Sequence, residues 1–546
     1  MQSGLLPNTD FLKMLKTFLR KNALDIFLVI LLGFFTYFAL VKRAPINMDE
    51  FSHYHPILCS YYENNDLNTF REQCGMYDQQ LLGGDLTVTL RSYGYGGSLA
   101  SIYYYPLFLL WPSAESARML GFIFVMFQAY ILSKLLKVRF RYALLGIVSF
   151  FPYYYQIIID TSIIHFYTTA VMAMVYLLKR WSETIKFKYI SLFFIILLLT
   201  FWSRLSFGLG FPAIIMIALY YLFKNRKKLD YKTGLKQLLL SSLLFLIPAL
   251  IYIFSPATLD GTMQVWLELT ARDSRSLGEL LNPQTYLSSV LIRRFSSPLQ
   301  ATERAYYMDS IGILELIYSL ILYGFPILMI LINFIKARKA RIKFKSESLI
   351  FYVSFLITSL LLFRSADTKH MHHVMMAYPF LFLSWAYSLI DLAKIKKALF
   401  NIFIAILVLF NLYYYITFTS QQVQIYSDEE LNKVHEILQS DYLASNYFYI
   451  NPNWGMFFYE GLYGPKEQSV IYIQSGTDNV DVVEKLKSMP EIYGRDLLYI
   501  YDKKVPETIP DLYDISPNLI ECSLTKDYEV WGILMPPDDN ELNPCK

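Results

Sequence analysis

Apolar residues run along this chain in long blocks, and polar residues gather between the blocks. A helix needs about 20 mostly apolar residues to cross a bilayer, and about eleven blocks reach or approach that length. They lie at 24–41, 117–136, 142–159, 161–178, 187–203, 207–223, 237–254, 311–335, 347–363, 374–393 and 398–416. The fifth and sixth are short and flank Arg204. Basic residues cluster at Lys13–Lys21, Lys134–Arg141, Lys179–Lys188, Lys224–Lys236, Lys336–Lys345 and Lys394–Lys397. A chain with about 11 transmembrane helices, its N-terminus inside and its C-terminus outside, puts all of these clusters on the cytoplasmic face. Lys42 and Arg43 fall on the wrong side. The pattern therefore predicts a multi-span α-helical membrane protein of the inner, cytoplasmic membrane.

The polar intervals then suggest domains. Residues 1–23 read as a cytoplasmic amphipathic segment, with Phe11, Leu12, Leu15, Phe18 and Leu19 set against Lys13, Lys16, Arg20 and Lys21. That composition suits a helix lying in the membrane interface. Residues 24–419 read as the transmembrane domain, with outer loops at 44–116 and 255–310. No small-residue cleavage site follows the first block, so it reads as an uncleaved span. From 420 to 546 the apolar runs become short and strand-like, at Tyr447–Ile450, Val470–Ile473, Leu497–Tyr501 and Val530–Leu534. Turn and helical stretches separate them, which predicts a small extracytoplasmic α/β domain.

Composition narrows the classes. Of 546 residues, 55% are hydrophobic and only 17% charged, against about 25% charged in soluble domains. An ordinary soluble enzyme, a coiled coil and a disordered chain are excluded. The net charge of +4 conceals a split, because about 22 acidic and about 9 basic residues follow position 419. An acidic tail on a basic body suggests two compartments. There is no basic stripe on a soluble face, so no nucleic-acid partner is expected. Cys59, Cys74, Cys522 and Cys545 all fall in the predicted outer regions, which fits an oxidising compartment. The local pairings are 59–74 and 522–545, although spacing does not fix connectivity and free buried thiols are the alternative. The phosphate-loop, dinucleotide and H-E-x-x-H motifs are absent, so no nucleotide cofactor is expected.

Ionisable residues near membrane depth are costly and mark candidate chemistry. Asp49-Glu50-Phe51-Ser52-His53-Tyr54-His55 starts about eight residues beyond the first block. Asp49 and Glu50 suit general-base work. His53 and His55 add divalent-metal ligand types, but their spacing matches no standard metal motif. A solvated loop leading into a helix is the plainer account. Asp160 falls at the predicted outer turn between the third and fourth spans, followed by His165, and could equally cap a helix. Arg118, Arg204, Arg293, Arg294, Lys369, His370 and His373 form an outer cationic group suited to a phosphate. Snorkelling to lipid headgroups is the alternative for each of them. The Tyr93–Tyr105 run reads as an interfacial aromatic belt or as a sugar or lipid groove, and the Tyr220–Tyr221 pair as belt.

In order and sidedness these motifs resemble the GT-C membrane glycosyltransferases, in particular the bacterial protein mannosyltransferase-like and lipid A aminoarabinose transferase-like members. Met48-Asp49-Glu50 stands where that family opens its first outer loop with an acidic motif. Tyr105-Pro106-Leu107, then Glu115-Ser116-Ala117-Arg118-Met119-Leu120, match its aromatic-Pro stretch and the Arg that opens the second span. Asp160, Arg204-Leu205-Ser206-Phe207-Gly208 and the stretch from Lys369 to Pro379 occupy its later positions. The likeness covers roughly 24–416. One departure is that Tyr103-Tyr104-Tyr105-Pro106-Leu107 replaces a Glu-Lys-Pro-Pro-Leu sequence of some relatives.

The resemblance implies transfer of a sugar from a polyprenyl-phosphate donor, with membrane lipids as surroundings and a lipid, glycan or protein as acceptor. Asp49 would be the base, Glu50 the runner-up, and the cationic group would hold the donor phosphate. A lipid or polysaccharide flippase would need charges deep within several spans, and few lie there. An envelope assembly scaffold would account for the tail but not for the paired acids and gathered cations.

Overall fold

A computed structural model describes residues 8–42, 99–159 and 164–254 (save 112 and 229), 313–364 (save 342, 343 and 345), 375–425, and short segments within 78–97 and 437–535. A helix or a pair of helices lies on each apolar block. Among the described residues five helices are long and apolar enough to cross a membrane: Asn22–Val41, Glu115–Leu136, Phe207–Asn225, Tyr231–Tyr252 and Leu320–Lys339. Phe187–Ser203, Glu347–Leu362 and Lys397–Phe410 are shorter apolar helices. The helices are α1 (Asn8–Thr36), α2 (Leu99–Leu110), α3 (Ala114–Leu136), α4 (Phe140–Val148), α5 (Phe151–Ile159), α6 (Ile164–Thr184), α7 (Phe187–Ser203), α8 (Phe211–Asn225), α9 (Tyr231–Phe254), α10 (Ile313–Lys339), α11 (Glu347–Arg364), α12 (Tyr378–Ile395) and α13 (Lys397–Ile425).

Several of these differ from expectation. The amphipathic stretch and the first apolar block form one helix, because α1 runs unbroken from Asn8 to Thr36 and continues as a π-helical turn over Tyr37–Val41. Lys21-Asn22-Ala23-Leu24 contains neither glycine nor proline to stop it. The third block is two short helices, α4 and α5, divided at Ser149 and Phe150 ahead of Pro152. The Tyr103–Tyr105 run lies in a helix, α2, and Tyr104 is buried rather than at an interface. Tyr221 is also buried inside the bundle.

Local chemistry sets the helix ends. Ser113 begins α3 by accepting the Ser116 amide at 3.2 Å. Lys137 ends it in the left-handed region at φ 59°. Glu115 in its first turn and Lys134 in its last complement the helix dipole. Pro212 and Pro379 stand in the first turns of α8 and α12, where a missing N–H costs nothing.

Close approach and small polar side chains pack the bundle, as expected where lipid removes the hydrophobic drive between helices. A Cβ on Gly121 would lie 2.5 Å from the Ile157 carbonyl oxygen, so α5 can rest on α3 only across a glycine. Ser348 of α11 bonds Ser384 and Ser388 of α12 at 2.9 and 2.7 Å. Tyr153 donates to Gln128 Oε1 at 2.9 Å, and Gln128 Nε2 donates to the Thr168 and Thr169 hydroxyls at 2.9 Å each, tying α5, α3 and α6. The outward residues of α1 and α9, such as Phe27, Phe34, Leu239 and Ile251, are exposed apolar side chains of the kind lipid covers.

Beyond α13 lies a five-stranded sheet. Its strands are β5 (Tyr447–Asn451), β6 (Val470–Tyr472), β7 (Asp496–Asp502), β8 (Ile520–Ser523) and β9 (Trp531–Met535), in the order β6-β5-β7-β9-β8. The three on the β6 side are parallel, and β9 runs antiparallel to both β7 and β8. Each of the four apolar runs carries a strand, and β8 is an addition. Two small antiparallel pairs, β1 (Asp78–Gln80) with β2 (Thr87–Thr89) and β3 (Arg91–Tyr93) with β4 (Gly96–Gly97), precede α2.

Candidate functional site

Alternating helices bring two sets of chain segments to the two ends of the bundle. One end, called here the Arg118 end, gathers the start of α3, the start of α6, the turn between α7 and α8, and the start of α12. Arg118 is buried, and its Nη1 donates to the Val41 carbonyl oxygen at 2.8 Å. That bond fixes the exit of the first helix, eight residues before Asp49. A guanidinium has five N–H donors, and this bond uses one of them.

Next to it, the rings of α2 close over α6. His165 is fully buried, with the Tyr103, Tyr104 and Phe124 rings at centroid distances of 5.6, 5.8 and 4.7 Å. The tyrosines that replace the acid and lysine of some relatives thus form the wall of an aromatic box around an imidazole. The His165 carbonyl accepts the Thr168 and Thr169 hydroxyls at 3.1 and 2.7 Å, the back-bonding that Ser and Thr make in helices.

Arg204 lies between α7 and a 3-10 segment over Leu205–Gly210, and is also buried. Its amide reaches back to the Thr200 carbonyl at 3.4 Å, and its carbonyl receives the Phe207 amide at 3.1 Å. Phe207 packs on Tyr167 of α6 at 4.3 Å between ring centroids. The Tyr167 hydroxyl donates to the Met376 carbonyl oxygen at 3.1 Å, in the turn that leads into α12.

The structure therefore places Arg118 and Arg204 at the same end, each at the mouth of a helix. Asp49, Glu50, His53, His55, Asp160, Arg293, Arg294, Lys369, His370 and His373 lie outside the described residues. Asp160 precedes α6 by four positions and His373 precedes the Met375–Ala377 turn by two, so both segments lead into this end. Among the described residues no group of three or more His, Cys, Asp or Glu could hold a metal ion. Sequence reasoning missed Tyr167 and Gln128, because a lone polar residue in an apolar helix reads as core. It singled out His165 only as a neighbour of Asp160.

The opposite end is built differently. Lys179 approaches Glu347 Oε2 at 3.6 Å, and Lys224 bonds Glu347 Oε1. Lys179 also donates to the Leu135 carbonyl and the Tyr387 hydroxyl, both at 3.3 Å. Arg141 faces Asp25 at 3.7 Å, and Asn333 donates to Asp391 at 2.8 Å. Most of the basic clusters noted in the sequence meet here.

No family model matches the chain, and no curated protein matches it. Solved structures do match. The crystal structure of ArnT from Cupriavidus metallidurans bound to undecaprenyl phosphate aligns at TM-score 0.50 and 10% identity, over 93% of this chain and 97% of that one. The archaeal oligosaccharyltransferase AglB from Archaeoglobus fulgidus, in complex with an inhibitory peptide and a dolichol-phosphate, aligns at TM-score 0.42 and 9% identity. That alignment covers 88% of this chain and 70% of AglB. The ArnT likeness spans both chains almost entirely, and the chain is a multi-pass membrane protein with a GT-C-like fold.

Proposed function

We propose that this chain is a membrane-embedded glycosyltransferase that moves a sugar from a polyprenyl-phosphate donor to an acceptor outside the cytoplasmic membrane. The observation that carries the reading is the likeness, along nearly the full length of both chains, to ArnT bound to undecaprenyl phosphate. The buried Arg118 and Arg204 at one end of the bundle support it, because a guanidinium matches phosphate geometry. In this reading the chain crosses the membrane about eleven times, and the lysine-rich end is cytoplasmic by the positive-inside rule. The Arg118 end and the β5–β9 sheet are then extracytoplasmic.

The donor lipid enters sideways from the bilayer with its phosphate among the cations. Asp49 takes the proton of the acceptor hydroxyl, with Glu50 beside it in sequence and Asp160 as a further carboxylate. The hydroxyl oxygen forms a bond to the anomeric carbon as the bond from that carbon to the phosphate oxygen breaks. The electron pair leaves on the polyprenyl phosphate, and a single displacement inverts the anomeric centre. Arg118 and Arg204, with Arg293, Arg294 and the Lys369–His373 segment, stabilise the charge that develops there. The lipid phosphate is itself the leaving group, so the step needs no nucleotide.

Native mass spectrometry of the detergent-purified protein tests this reading. A co-purifying polyprenyl phosphate or its sugar ester is expected, and it is lost when Arg118 or the Lys369–His373 group is neutralised. Only bulk phospholipid, even after a polyprenyl-phosphate sugar is added, would remove the donor from the proposal.

A further inference from the structure

Three segments of the Arg118 end meet on one side chain that neither the resemblance nor the proposed chemistry uses. Tyr167 is 1% exposed. Its ring lies against Phe207, three residues after Arg204 in the 3-10 segment, at 4.3 Å between centroids. Its hydroxyl donates to the Met376 carbonyl oxygen at 3.1 Å, three residues after His373. That same hydroxyl occupies the space beside Gly210, where a Cβ would stand 2.3 Å from its oxygen and 3.5 Å from the ring carbon that bears it. Gly210 closes the 3-10 segment with an ordinary negative φ of −81°, so its backbone does not demand glycine. Contact with Tyr167 is what demands it.

The far side of the turn is fixed as well. The Tyr378 hydroxyl pairs with that of Tyr323 at 2.8 Å, the Tyr352 hydroxyl donates to the Tyr323 carbonyl at 3.1 Å, and the Tyr378 amide donates to the Met375 carbonyl at 3.3 Å. The turn is thus held by α10 from one side and by Tyr167 from the other. Tyrosine has only two side-chain torsions, and this one is clamped by Phe207. It cannot yield to a Cβ on Gly210 while keeping Met376.

We infer that Tyr167 is a positioning residue of the donor-phosphate site. Through Gly210 and the Met376 carbonyl it sets the spacing between the Arg204 segment and the Met375–Ala377 turn, which follows the basic Lys369–His373 stretch in sequence. The inference rests on the proposed donor. It assigns Tyr167 no contact with the lipid; a bidentate or multi-cation phosphate grip depends on that spacing, because charge-assisted bonds are short and directional.

The test measures binding of undecaprenyl phosphate to the full-length detergent-purified chain by native mass spectrometry titration, with thermal melting alongside. The variants are Gly210→Ala, Tyr167→Phe and the double substitution. Gly210→Ala is expected to weaken binding by about tenfold or more, since it breaks the Met376 bond and displaces the segment. Tyr167→Phe, which keeps the ring, is expected to weaken it by only a few-fold on the order of one neutral hydrogen bond. In the double variant the alanine meets only the ring at ordinary contact distance, so affinity returns to that of Tyr167→Phe. A purely structural role predicts changes in melting without this pattern of rescue. Wild-type affinity in Gly210→Ala, or a double variant as weak as Gly210→Ala, overturns the inference while the donor reading stands. If Gly210→Ala does not fold, unchanged affinity in Tyr167→Phe overturns it instead. Failure of the wild-type chain to bind undecaprenyl phosphate removes the donor reading and the inference together.

Discussion

Among the described residues, the two ends of the helical bundle engage their polar side chains differently. At the Lys179 end cations lie beside carboxylates: Lys179 and Lys224 on Glu347, Arg180 on Glu183, Lys394 on Asp391 and Arg141 on Asp25. Side-chain amides add to the clamp, with Asn225 on the Ser182 hydroxyl at 2.8 Å and Gln237 on the Ile185 carbonyl at 3.0 Å. At the Arg118 end the side chains work through carbonyls and rings: Arg118 on Val41, Tyr167 on Met376, and His165 within tyrosines. A charge matched by a neighbouring opposite charge holds helices together. Among the described residues, the acid–base pairs that join helices gather at the Lys179 end, whereas buried Arg118 and Arg204 lie at the other, the end to which the proposed chemistry is assigned.

That contrast predicts a double dissociation. The largest effect is expected from Asp49→Asn, which removes the proposed base and should lower transfer by roughly 10²–10⁴-fold while the melting transition stays in place. Near-normal transfer by this variant would take Asp49 out of the role. At the other end, Glu347→Gln leaves two lysines converging on a neutral amide. Removing the shared partner of a partly buried ionic cluster costs on the order of 2 kcal/mol, to be read as loss of unfolding stability in detergent. Transfer per folded molecule should be unchanged. If Glu347→Gln instead lowered transfer at full stability, the division of labour between the ends would be wrong.

The helices were legible because apolar blocks and lysine clusters are strong signals, and lipid permits few alternatives. Arg118 and Arg204 stood out for the same reason, since a cation beside an apolar block is costly, and the structure buries both at one end of the bundle. The break between α4 and α5 was not, although Ser149-Phe150-Phe151-Pro152 marks it in hindsight; the block is apolar throughout, and hydropathy is blind to backbone direction. The α2 helix was read as an aromatic belt or groove because tyrosine suits an interface and a buried wall equally well. Tyr104 and Tyr221 are buried only because α6 and the α11–α12 pair happen to lie opposite them, which no local pattern records. Strand β8 was missed because Ile520-Glu521-Cys522-Ser523 carries little apolar signal, and its pairing with β9 supplies what the sequence lacks. Tyr167 had no signal, since its meaning lies in a carbonyl more than two hundred residues away.

The smallest effect sharpens the contrast most, because it separates a shared carboxylate from a simple pair. Glu347 is 13% exposed and serves two lysines, one on each oxygen. Lys224 is 33% exposed, so water already screens its charge, whereas Lys179 is 16% exposed and is held independently by Leu135 and Tyr387. Lys224→Met therefore leaves Glu347 compensated by Lys179 and covers the same apolar surface with a side chain of similar length. Its cost should stay within about 1 kcal/mol, as for a partly exposed pair, and shrink further as salt is raised. Glu347→Gln must cost more in the same melting experiment. Equal costs for the two variants would mean that Lys179 does not take part. A loss of transfer in Lys224→Met would mean that the two ends are coupled through α8, whose far end begins at the Gly210 contact.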